Sequence, residues 1–161
     1  MPEIICNTSP LQYLHQIGHL QLLPQLTGSV IVPNAVCAEL HAGLAQGIEL
    51  PEVITLPWIR RKDPISAPAL PLAADLGPGE SAVLALALEA PGSSVILDDA
   101  LGRRAAELLG IPFTGTLGLL LSAKKKNLIP AVAPILDKLS ELRFRVSTST
   151  RSAVLQLAGE L

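Results

Sequence analysis

Four side chains with oxygen donors fall where an α/β chain gathers its chemistry: Asn7, Glu39, Glu80 and Asp98. Asp98 closes Ser93-Ser94-Val95-Ile96-Leu97, a run introduced by Gly92, and with Asp99 it leads into Ala100-Leu101-Gly102-Arg103-Arg104. A short β-branched run followed by a helical pattern reads as a buried parallel strand feeding a helix. In doubly wound sheets, ligand chemistry collects beyond the carboxyl ends of the strands. Glu3-Ile4-Ile5-Cys6 has the same design and ends on Asn7-Thr8-Ser9-Pro10, so the two strand ends are expected at one edge of one sheet. Carboxylates crowded there would repel, and some would stay protonated unless a cation sat among them. An all-oxygen donor set suits Mg²⁺ or Mn²⁺ better than zinc, and such sites typically handle phosphate esters.

The remaining elements must bring these groups together. Pro10 to Leu26 reads as a helix broken at Gly18 and resumed as a shorter one, with His15 and His19 as surface histidines. Val30-Ile31-Val32 is a buried strand, and Pro33-Asn34 starts a helix running to about Gln46. On it Val36, Cys37, Leu40 and Leu44 form the apolar stripe, with Glu39 on the margin. Glu49 to Pro57 is irregular or strand-like. Residues 63–79 carry Pro64, Pro68, Pro71 and Pro78, a surface loop rather than a boundary between domains. Gly77-Pro78-Gly79-Glu80-Ser81 opens a helix that is apolar on every face, Ala82 to Leu88. Glu80 thus sits in a first turn, where the macrodipole alone would also favour a carboxylate.

Further along, Ala100 to Leu109 reads as a helix with Leu101, Ala105 and Leu108 inward, ended by Gly110. Ile111 to Thr114 reads as a strand, and Leu117 to Lys126 as a helix with Thr116 as its N-cap. A helix from Pro130 turns Val132, Ile135, Leu136, Leu139 and Leu142 inward. Arg143 to Ser147 is expected as a strand and Thr150 to Leu161 as a terminal helix. The alternation argues for one α/β/α domain over 1–161, with a largely parallel sheet.

Composition bounds the function. Of 161 residues, 49% are hydrophobic and only 16% charged, which excludes a disordered chain. A mean hydropathy of +0.46 is high for a soluble protein and predicts self-association, as a homodimer or higher homo-oligomer. No run is long and apolar enough for a membrane span, and the N-terminus has no basic-then-apolar leader, so a cytoplasmic protein is expected. Cys6 and Cys37 lack the spacing of a zinc site and read as reduced, buried thiols. Arg60-Arg61-Lys62, Arg103-Arg104 and Lys124-Lys125-Lys126 could each supply a basic patch, although the formal net charge is −2. The chain has no Gly-x-x-x-x-Gly-Lys-Ser/Thr loop and no strand-end nucleophilic Asp in Asn7-Thr8-Ser9, so a nucleotide-binding or phosphatase reading ranks last.

Taken in order, Asn7-Thr8-Ser9-Pro10-Leu11, Val32-Pro33 through Glu39-Leu40, Gly79-Glu80-Ser81, Leu97-Asp98-Asp99 and Gly115-Thr116-Leu117-Gly118 resemble the PIN-domain nucleases, especially the VapC-type toxins of toxin–antitoxin pairs. The resemblance implies a PIN-like three-layer α/β/α fold with a central, mostly parallel sheet. It implies a Mg²⁺- or Mn²⁺-dependent endoribonuclease with RNA as substrate and a small antitoxin protein as partner. Glu39, Glu80 and Asp98 would hold the ions, with Asp99 as an auxiliary, Ser9 hydrogen-bonding nearby and Thr116 at the same edge. Arg103 and Arg104 would draw the phosphate backbone. The first motif of the family commonly presents Asp, where this chain has Asn7, a carbonyl ligand without charge. A catalytically weak module that binds RNA or protein is the alternative this departure opens.

Overall fold

The computed structural model describes residues 2–66, 70 and 75–161. Five short strands form one all-parallel sheet: β1 (Ile4–Cys6), β2 (Val30–Val32), β3 (Ile59–Arg61), β4 (Ser94–Ile96) and β5 (Phe113–Thr114), in the order β3-β2-β1-β4-β5. Eight helices flank it among the described residues: α1 (Thr8–Gln16), α2 (Leu22–Thr27), α3 (Asn34–Ala45), α4 (Pro78–Glu89), α5 (Ala100–Leu109), α6 (Thr116–Lys125), α7 (Ala133–Glu141) and α8 (Thr148–Leu157). This is the three-layer α/β/α arrangement. None of these helices is long and apolar enough to cross a membrane.

The chain first lays strands outward from β1 to β3, then returns to place β4 on the other side of β1. That reversal between β1 and β4 is the point where connections diverge and a crevice opens at the strand ends. Register is Ile4 to Ser94, Ile5 to Val95 and Cys6 to Ile96, and the Asn7 amide extends it by donating to the Ile96 carbonyl at 2.9 Å. The two strand ends therefore meet as the sequence predicts. Ile5, Cys6, Val95 and Ile96, with Val30, Ile31, Val32 and Leu97, are almost wholly buried, as a sheet covered on both faces requires.

Several expectations give way to local physics. The strand Ile59–Arg61 escapes the sequence pattern because Arg60 and Arg61 read as a surface basic cluster, yet exposed charges suit a strand that lies at a sheet edge. Val53–Thr55 is a 3-10 turn. Arg143 to Ser147 is not a strand: Arg143 has φ 65, and the Phe144 amide returns to the Leu139 carbonyl at 3.0 Å, closing the end of α7. Phe144 then packs edge-on against Tyr13, centroids 4.9 Å apart. α7 starts at Ala133 rather than Pro130, and α8 spans Thr148–Leu157 with Ser147 as its cap. The Pro-rich loop expected over 63–79 lies partly outside the described residues. At its near end Asp63 accepts from the Asn34 amide (2.8 Å) and side chain (2.6 Å), fastening the start of α3.

α5 keeps Ala105 inward as predicted but turns both leucines outward. Gly102, Ala105 and Ala106 are buried, while Leu101 and Leu108 are 40% and 60% exposed. The small residues at i, i+3 and i+4 let the helix lie close to its neighbours, and the two leucines fall on the outer side.

Candidate active site

At the end of β1, Asn7 is the N-cap of α1 but makes no capping bond with its side chain. Asn is among the preferred caps because its oxygen usually accepts from the first turn. Here Asn7 is 5% exposed, and its Oδ1 is buried without a donor among the described residues. The next residue turns inward: the Thr8 hydroxyl donates to Glu39 Oε2 in a short hydrogen bond. Thr8, rather than Ser9, is thus the hydroxyl of this segment that meets an acidic residue.

Glu39 reaches across from the partly buried margin of α3, as its helical position predicts. Its other oxygen, Oε1, accepts from the Gly79 amide at 3.0 Å, in the first turn of α4. α4 begins with Gly77 as N-cap and Pro78 at its first position, so its amides are open to an acceptor. Glu80 follows immediately. Burial, first, and then the Asp99 charge raise the Glu80 carboxyl to about 7, with Glu39 adding to the effect and the Gly77 contact opposing it. Glu80 and Asp99 face each other acceptor to acceptor, a contact that becomes a hydrogen bond only with a proton between them. Glu80 Oε2 is buried with no donor among the described residues.

Asp99 also caps α5, its Oδ2 accepting from the Leu101 amide (3.0 Å) and the Gly102 amide (3.2 Å). Its first duty is therefore to the helix. Asp98 turns the opposite way, toward α6: Oδ1 accepts from the Thr116 amide and Oδ2 from the Thr116 hydroxyl, each at 2.7 Å. Burial raises the Asp98 carboxyl, and the two Thr116 bonds and then Arg103 hold the rise back. Thr116 is not the cap of α6. Gly115 occupies that position, and Thr116 is fully buried in the service of Asp98.

Arg103 and Arg104 are exposed on α5, and the Arg103 guanidinium lies 5.1 Å from the Phe113 ring centroid. Cys6 is completely buried and Cys37 partly so, both as free thiols; burial, and then Asp98, push the Cys6 thiol up. A groove of about 840 Å³ between α3 and the 3-10 turn, lined by Cys37, His41, Val53, Ile54 and Arg61 among others, includes none of the site acids.

The structure thus links Glu80 to Asp99 and, as a weaker influence, Glu39, and links Asp98 to Thr116, while Asn7 stands at the end of β1 and the head of α1. Among the described residues no group of three or more His, Cys, Asp or Glu side chains is gathered as a metal cluster. The donor set nevertheless fits a hard divalent ion: it is all oxygen, and Asn7 Oδ1 and Glu80 Oε2 are buried acceptors with nothing to accept.

Sequence reasoning missed Thr8 and the glycines Gly79, Gly102 and Gly115. An ideal Cβ on Gly79 would lie 2.7 Å from Glu39 Oε1, on Gly102 2.5 Å from Glu80 Oε2, and on Gly115 2.7 Å from Asp98 Oδ1. The Gly-Glu and Gly-Thr pairings in the motifs were the only available signal. In comparison with known proteins, a model of the PIN-domain family matches residues 3–160. No curated protein and no solved structure gives a significant match.

Proposed function

Because the chain belongs to the PIN-domain family, whose members are nuclease-type domains that generally use divalent metals, we propose that it is a metal-dependent endoribonuclease resembling the toxin of a toxin–antitoxin pair. The observation that carries this reading is the pair of buried acceptors without donors, Asn7 Oδ1 and Glu80 Oε2, at the end of β1 and the start of α4. Unsatisfied buried oxygens cost about 1–3 kcal/mol each, and a hard cation is the kind of partner such oxygens take.

Asn7, Glu39, Glu80 and Asp98 would hold Mg²⁺ or Mn²⁺, with Asp99 as an auxiliary. Such an ion, when bound, polarises a phosphodiester and makes water a better nucleophile near neutral pH. The chain's own groups do the positioning. Thr116 fixes both oxygens of Asp98, and Thr8 with Gly79 fixes both oxygens of Glu39. Glu80, raised to about 7, exchanges its proton in the range where the reaction would run. Arg103, held over Phe113, and Arg104 present positive charge beside these carboxylates to an RNA backbone. Exposed Leu101 and Leu108 offer an apolar face for a second copy of the chain or for a small antitoxin, and a cytoplasmic site of action goes with that role.

A second reading, a catalytically weak RNA- or protein-binding module, is favoured by Asn7 and by the absence of a three-acid cluster among the described residues. Incubation of single-stranded RNA with wild type and Asp98→Ala, each with Mn²⁺ or EDTA, separates the two. Cleavage that needs Mn²⁺ and is lost in Asp98→Ala supports the nuclease. RNA retention without cleavage supports the module, and cleavage untouched by Asp98→Ala refutes the site.

A further inference from the structure

Each of the three site acids is pressed against a glycine that belongs to a different helix start. Gly79 is the second residue of α4, Gly102 the third of α5, and Gly115 the N-cap of α6. None of the three has positive φ, so the backbone conformation does not call for glycine. Space does. The three atoms nearest to a Cβ on Gly79 all belong to Glu39: Oε1 at 2.7 Å, Oε2 at 2.8 Å and the carboxyl carbon at 3.0 Å. On Gly102 the Cβ would meet Glu80 Oε2 at 2.5 Å and Leu97 Cδ1 at 3.2 Å; on Gly115, Asp98 Oδ1 at 2.7 Å and the Leu97 carbonyl at 3.3 Å.

We infer that Gly79, Gly102 and Gly115 are positioning residues of the acidic site, one for each of Glu39, Glu80 and Asp98, and that the missing Cβ lets the helix backbones themselves form the walls against which the carboxylates are set. The seating rests on the structure alone; its bearing on metal binding rests on the nuclease reading. A helix start brings partly positive amides as well as a wall, and at Gly79 the same residue supplies both, since its amide donates to Glu39 Oε1 at 3.0 Å. The glycines therefore set the geometry of the acids through contact, while Thr8 and Thr116 set it through hydrogen bonds.

Gly79 and Glu39 give the cleanest test, because the three atoms nearest that Cβ all belong to Glu39. In a helix, alanine for glycine ordinarily stabilises. In metal-free protein, Gly79→Ala is expected to lower the thermal unfolding midpoint in the wild-type background and to raise it in the Glu39→Ala background. A midpoint that rises or stays level in both backgrounds overturns the proposal. Titration of Mn²⁺ by calorimetry provides the second readout. Affinity should fall about tenfold in Gly79→Ala, the scale seen when ligand-supporting groups are altered. It should be largely restored in Gly79→Ala with Glu39→Asp, whose shorter side chain withdraws from the added methyl, while Glu39→Asp alone binds more weakly than wild type. A Mn²⁺ affinity unchanged in Gly79→Ala overturns the positioning role. If the midpoint reverses sign but wild type binds no Mn²⁺, the glycine seating stands and the metal-nuclease reading falls.

Discussion

Thr116 gives both of its donors to Asp98: its amide reaches Oδ1 and its hydroxyl reaches Oδ2, each at 2.7 Å. One buried residue thereby fixes the plane of a carboxylate that β4 only delivers to the neighbourhood. Thr116→Val keeps the shape and the amide but removes the hydroxyl. It should cost about 1–3 kcal/mol in urea unfolding, since Oδ2 loses its donor in a site that water reaches poorly. Thr116→Ser should recover most of the loss.

Glu80 predicts a pH signature. Its folded carboxyl, at about 7, lies above the ordinary 4.5, so the folded state binds the proton more tightly. The stabilising contribution is complete below the unfolded value and is lost as pH rises through about 7. Wild type should lose stability across that window, and Glu80→Gln should show a flatter profile in thermal scans from pH 4 to pH 8, roughly the span of both values. If an ion displaces the proton, Mn²⁺ affinity of wild type should climb by up to about tenfold per pH unit below 7 and level off above it.

Asn7→Asp places a charge where a neutral, buried oxygen now has no donor. Without metal the unfolding midpoint should fall, because a carboxylate buried at that position has no partner. With Mn²⁺ the order should reverse, the variant gaining more than wild type; saturation at a hundredfold over Kd contributes about 2.7 kcal/mol. Paired scans with and without the ion decide it. An equal response of both proteins would remove Asn7 from the site.

Far from the acids, Glu160 accepts from the Val132 amide (2.7 Å), the Ala133 amide (3.0 Å) and Lys124 Nζ (3.0 Å), which tethers the chain after α8 to the starts and ends of α7 and α6. The Val132 and Ala133 amides, then Lys124, hold its carboxyl down at about 2. Its contribution is present above the ordinary 4.5 and disappears as pH falls through about 2. Glu160→Gln should lower the unfolding midpoint at neutral pH, with the gap from wild type closing in acid.

Much of this site was legible in the sequence because its strand ends and helix starts announce themselves. Asp98 and Asn7 follow apolar runs that cannot continue, Glu80 follows Gly-Pro-Gly, and Glu39 falls on a helix margin, all local signals. Hidden were the relationships between segments. Nothing in Thr8 says that its hydroxyl meets Glu39 from another helix, and Thr116, which reads as a cap, instead follows the cap Gly115 and serves Asp98. Nor does the sequence say that Gly79, Gly102 and Gly115 each lie against a carboxylate of another segment. Leu101 and Leu108 show the converse error: large apolar residues at helical spacing appear to mark the core face, but Gly102, Ala105 and Ala106 fill it. β3 was lost because its two arginines dominate a three-residue strand.

The parallel pairing of β1 with β4, which sets Ile5 against Val95, also dictates when the site can exist. Asn7 is made before Asp98, which emerges only after β2, α3, β3 and α4. Pairing across so long a loop is slow and contributes nothing until closure is complete. A nascent chain cut short between α3 and β4 carries Asn7 and Glu39 but no Asp98. The acidic site therefore waits on the pairing of β1 with β4, and a chain without β4 lacks it.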